Sequence, residues 1–125
     1  YKSTHCCIHM ELIVYLGRDK ENWGQITALV RRGQWEKVVI VKDKSLSEVP
    51  IKGEVVEIDA SKPLLELKSE LLEKLKKKLA GDLEVALSIA SGTGKEHMAL
   101  IAALLNLPVG VKLAVYTKEG VQLIT

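Results

Sequence analysis

The 125-residue chain has no phenylalanine, and tyrosine and tryptophan together make up only 4% of it. Its core must therefore come from Leu, Val, Ile and Ala, an aliphatic and β-branched set that suits strands buried on both faces. An excess of one charge is also missing, since 18 basic and 16 acidic side chains leave a net +2. Duplex DNA and anionic membranes are usually held by a concentrated basic face, so neither is an expected partner. A small anion held by backbone amides and one or two cations remains compatible with that balance. No apolar run approaches the ~18 residues that span a bilayer, and no stretch has the layout of a signal peptide. A cytoplasmic location is the expectation.

Cysteine is confined to the adjacent pair Cys6 and Cys7, which is no disulfide framework. With His5 and His9 they offer thiolate and imidazole groups that zinc prefers, but zinc motifs space their cysteines by ~2–4 residues. Residues 1–9 read instead as a leader, foreign to the domain or disordered, with Met10 as the natural start. Neither a metal nor a cofactor is expected.

What is present suffices for one domain. Apolar residues make up 47% and charged residues 27%, a globular balance in a chain long enough to bury its own core. Leu12-Ile13-Val14-Tyr15-Leu16, ending at Gly17, reads as a central parallel strand. After the polar turn Arg18–Asn22, the residues Trp23, Ile26, Leu29 and Val30 recur at helical spacing until Gly33. Val38–Val41 is a second strand, Asp43 to Gly53 a loop, and Glu54–Asp59 a third strand with weaker burial. Ser61 is the expected N-cap of a helix with Pro63 in its first turn, a leucine stripe from Leu64 to Leu79, and a stop at Gly81. Lys76–Lys78 in its last turn complement the helix dipole. A strand over Leu83–Ala90, a helix from about Lys95 to Leu107, and a hairpin around Thr117–Gly120 complete the chain. The order β-α-β-β-α-β-α-β-β predicts an α/β, Rossmann-like three-layer sandwich over residues 10–125. Its sheet would be mostly parallel, with a C-terminal antiparallel hairpin.

In such sheets ligands bind beyond the carboxyl ends of the strands. The loop Ser91-Gly92-Thr93-Gly94-Lys95 stands there, between a buried strand and an apolar helix. Two glycines allow a tight turn, and Ser91 and Thr93 add hydroxyls. The amides of Thr93, Gly94, Lys95 and Glu96 are expected as unpaired donors at a helix start, and Lys95 adds a mobile charge. Together they predict a phosphate cradle. It is not a magnesium–ATP loop, because Ile89 stands where that motif needs glycine and Glu96 where it needs Ser or Thr. The three spaced glycines of dinucleotide binding are absent as well.

Ser91-Gly92-Thr93-Gly94-Lys95-Glu96-His97-Met98-Ala99-Leu100 resembles the signature of the CRISPR-associated Rossmann fold (CARF) domains. In that family a Thr/Ser-Gly-Gly-Thr-Lys/Arg loop leaves the fourth strand, and a Met or other apolar residue follows in an Ala/Leu-rich helix. This chain reads Gly-Thr-Gly-Lys instead, with one more residue before Met98. The likeness extends to the element order over residues 10–125. It implies a homodimer that binds a cyclic oligoadenylate in antiviral defence. Ser91, Gly92, Thr93, Gly94 and Lys95 would line the ligand, with Arg18, Asp19 and Asn22 beside them. Some members cleave the ring, and most carry an effector domain. The 125 residues leave room for neither a nuclease nor a helix-turn-helix, so a stand-alone module is expected.

The residues themselves also favour self-association. Met98 to Leu105 is apolar all round, which a helix covered on one face alone does not need. For chemistry, Lys95 is the candidate to stabilise a transferring phosphate. His97 is a candidate general base, although a lone histidine in a first helical turn is more often a polar contact. Trp23 is expected in the core, and Trp35 either there or stacked on a base. A binding domain, a ring-cleaving or other phosphodiesterase, and a protein-interaction module without nucleotide are the three functions left open.

Overall fold

In a computed structural model, which describes residues 10–79 and 84–124, the apolar run after Met10 forms strand β1 (Glu11–Leu16), buried along its whole length. The remaining elements follow in the expected alternation. They are α1 (Trp23–Arg32), β2 (Lys37–Asp43), β3 (Glu54–Ile58), α2 (Leu64–Lys78), β4 (Glu84–Ser88), α3 (Gly94–Leu105), β5 (Gly110–Thr117) and β6 (Gly120–Ile124). A 3-10 turn over Lys20–Asn22 leads into α1. The leader with His5, Cys6, Cys7 and His9, and the expected helix stop at Gly81, lie outside the described residues.

The six strands form one sheet in the order β3-β2-β1-β4-β5-β6. Ile13 of β1 lies opposite Val39 of β2 and Leu87 of β4, both pairings parallel. Parallel pairing continues to β3 and β5, and only β6 runs antiparallel. The fold is thus α/β with a mostly parallel sheet and three α-helices, compatible with a Rossmann-like class. Place in the sheet accounts for burial. Central β1 exposes nothing, whereas β3, at an edge, buries only Val56 and Ile58.

Side chains alternate along a strand, and here they enter two separate apolar clusters. Ile13 and Tyr15 join Val39, Val41, Val85 and Leu87 with the buried stripes of α2 and α3. Leu12, Val14 and Leu16 join Ile40, Ala86 and Ala114 with Ile26 and Leu29 of α1. The segment between β2 and β3 is irregular, as expected, yet it is anchored. Leu46 and Ile51 plug the second cluster, and the buried Lys42 ammonium donates to the Leu46 carbonyl at 2.7 Å and pairs with Glu57 at 2.8 Å.

One local expectation changes. Pro63, not Ser61, occupies the N-cap of α2, and the Ser61 hydroxyl donates to Asp59 Oδ1 at 2.6 Å. Both tryptophans pack against the second cluster, Trp23 as expected, and the Trp23 indole donates to the Gly17 carbonyl and the Trp35 indole to that of Leu29, each at 2.9 Å. No described helix is long and apolar enough to cross a membrane.

Candidate functional site

Strands β1 and β4 are neighbours at the centre of the sheet, and the chain departs from them in opposite directions. The loops leaving their carboxyl ends meet, because each carries short polar groups aimed at the other. The fully buried Ser91 hydroxyl accepts from the Gly17 amide at 2.8 Å and donates to Asp19 Oδ1 at 2.6 Å. Asp19 also accepts from the Gly92 amide at 3.0 Å and the Asn22 side chain at 2.6 Å. Burial opposes ionisation of Asp19, but the donors of Asn22, Ser91 and Gly92 outweigh it and hold the carboxyl below its usual range. Of the expected ligand-binding residues, Asp19, Asn22, Ser91 and Gly92 therefore bind one another. Gly92 has φ +105°, and a Cβ there would come within 2.6 Å of the Tyr15 ring, so the close turn requires glycine.

Helix α3 begins one residue beyond this junction. Thr93 and Glu96 form a capping box: the Glu96 amide donates to the Thr93 hydroxyl at 3.3 Å, and the Thr93 amide to the Glu96 carboxylate at 2.7 Å. Two of the four amides expected to be unpaired are thus engaged. Those of Gly94 and Lys95 are not used by the box. The Lys95 ammonium donates to the Ala60 carbonyl at 3.0 Å, across from the turn after β3. His97 Nε2 lies 2.6 Å from the Ser91 carbonyl, so that nitrogen carries a proton and braces the loop, a polar contact of the commoner kind. Its ring meets Tyr15 edge-on, with centroids 6.3 Å apart.

Arg18 departs from the other loop residues. Its guanidinium turns to Asp43 and Ser45, on the rim of a cleft of about 420 Å³ over the carboxyl ends of β1, β2 and β3. Two Asp-x-Ser turns shape this cleft. Asp43 accepts from the Ser45 amide at 3.1 Å and the Ala60 amide at 2.8 Å, while Asp59 accepts from the Ser61 amide at 3.1 Å. Burial would raise the Asp43 carboxyl, but Ser45, Ala60 and Arg18 hold it down at about 2. Tyr15, 1% exposed, lines the cleft with Glu96. Its hydroxyl is buried beside the Glu96 side chain. Burial, and then the hydrogen bond to the Glu96 carboxylate and its negative charge, push its pKa well up, so the phenol stays protonated.

Sequence reasoning missed Tyr15, Asp43 and Asp59. The repeated Asp-x-Ser after β2 and β3 was a visible signal for the two aspartates, whereas Tyr15 reads as ordinary strand core. Among the described residues, no group of three or more His, Cys, Asp or Glu is placed to hold a metal ion. Comparison of the chain with protein-family models, curated proteins and solved structures finds no match.

Proposed function

We propose that the chain is a CARF-like, three-layer Rossmann-like domain that binds a cyclic oligoadenylate or a related nucleotide as a homodimer, acting as a cytoplasmic sensor in CRISPR-associated antiviral defence. One observation carries the reading. The loops after β1 and β4 close on each other at the point where strand order reverses, and α3 starts there with the Gly94 and Lys95 amides outside its capping box. That is where open α/β sheets take ligands, and such donors favour a phosphate. The three layers are supported by the two apolar clusters, one holding α1 and the other α2 and α3.

The homodimer is supported by what α3 leaves uncovered. Met98 is 60% exposed and Leu105 74%, and seven residues apart they share one helix face. Titrating cyclic tetra- and hexa-adenylate against thermal unfolding tests the ligand. A ligand at a hundred times its Kd stabilises by about 2.7 kcal/mol, a shift of several degrees. Chromatography of the same mixtures distinguishes a sensor, which returns the ring intact, from a nuclease, which returns linear products. No shift with either ring overturns the reading, and a monomeric mass in light scattering with and without the ring overturns the dimer.

A further inference from the structure

Strand β3 ends the sheet, and among the described residues no strand pairs with its outer side. The Ile58 carbonyl accepts from the Lys44 amide at 2.8 Å, so it points inward, to the side of β2. Backbone groups alternate along a strand, which turns the amides of Val55 and Glu57 and the Val55 carbonyl outward. The Glu57 carbonyl points the same way and takes the Lys74 ammonium. Beside this edge runs a groove of about 440 Å³, lined by Val55, Val56, Glu57 and three lysines of α2, Lys74, Lys77 and Lys78.

We infer that this edge is a docking site for an extended acidic segment of a partner protein. The segment joins the sheet as a further strand and sets its carboxylates against Lys74, Lys77 and Lys78. Charge selects the partner. Glu57 is the one carboxylate lining the groove among the described residues, and the buried Lys42 already pairs with it at 2.8 Å. Lys77 is exposed and has no ion pair among the described residues. Lysines in a last helical turn answer the helix dipole, but that role leaves out Lys74, the one that reaches the strand. A lysine over a sheet edge is also a guard against unwanted pairing, yet a guard calls for neither an open groove nor two further lysines along it. The opposite edge, β6, carries no charged residue, so a basic border is not general to this sheet. Val56 and Ile58 face α2, which turns the 39% exposed Val55 to the other side. An added strand alternates in the same way, with acidic residues toward the lysines and apolar ones beside Val55. A carboxylate offers Lys74 a charged acceptor in exchange for the Glu57 carbonyl, and so leaves that carbonyl to the new strand. A nucleic-acid backbone would meet the lysines but not a row of strand donors and acceptors.

A short synthetic peptide of alternating Glu and Val, titrated calorimetrically into the protein at low salt, tests this. Saturable binding is expected with a Kd below about 1 mM, together with slower hydrogen exchange at the Val55 and Glu57 amides. Lys77→Glu should weaken binding roughly fivefold, and Lys77→Gln, which removes the charge without reversing it, roughly twofold. No saturable binding up to about 1 mM overturns the inference. Unchanged exchange at Val55 and Glu57 overturns it too, because charge alone would then hold the peptide. Equal binding of the same peptide methylated at its backbone nitrogens has the same consequence. A short oligouridylate that binds more tightly than the peptide, and loses affinity in Lys77→Glu, overturns it in favour of single-stranded nucleic acid. None of these probes engages the loops after β1 and β4, so the result stands apart from the nucleotide reading.

Discussion

Two neighbouring polar regions at the carboxyl end of the sheet treat burial in opposite ways. At the junction of Gly17, Asp19, Ser91 and Gly92, one hydroxyl both donates and accepts, and one carboxylate takes donors from three residues. In the adjoining cleft, the Tyr15 hydroxyl is as deeply buried with the Glu96 side chain alone beside it. The junction spends its hydrogen bonds on joining two loops, so it sets geometry.

The largest effect is expected where the two regions touch. Gly92→Ala puts a Cβ against the Tyr15 ring at a positive φ, which costs about 3 kcal/mol or more in urea unfolding. A loss under about 1 kcal/mol would mean that the turn relaxes easily and that junction and cleft are not packed as one. Ser91→Ala breaks the junction alone. It strands the buried Gly17 amide and removes a donor from Asp19, for a loss of about 1–3 kcal/mol. Set beside Tyr15→Phe, which removes a hydroxyl with only Glu96 beside it, it sharpens the contrast between the two regions.

The smallest effect is a pH dependence at the cleft rim. Asp43 has a depressed pKa of about 2 in the folded chain against an ordinary value of 3.8. Its contribution is therefore fully present above about pH 4 and is lost as pH falls toward 2. Wild type should exceed Asp43→Asn in stability by on the order of 1–2 kcal/mol near neutrality, allowing for solvent screening. Acid denaturation series should show the gap closing across that window. A gap that is constant with pH would mean that the Ser45 and Ala60 donors do not distinguish the charged carboxylate.

The element order and the central place of β1 were legible in the sequence because apolar runs and helical spacing are local signals. Leu12–Leu16 is continuous since both faces of a central strand are covered, and the alternation in β3 shows equally well that one face is not. The meeting of the loops after β1 and β4 was legible only through the general rule for such sheets. Partners were not, because they depend on distance in space: Asp19 and Ser91 are 72 residues apart. Thr93-x-x-Glu96 is a readable capping-box signature, and it ties up two of the four amides expected as unpaired donors. Tyr15 gave no signal, for a tyrosine in an apolar strand looks the same whether or not its hydroxyl finds a partner.

The capping box of α3 bears on background in the cell as well as on helix stability. Glu96 is an anion tethered beside the donors that a phosphate would approach, and a short tether amounts to a local concentration of roughly millimolar or more. Free phosphate and other abundant small anions compete with that resident charge and gain nothing from the cleft. The helix start would then stay quiet amid common inorganic anions.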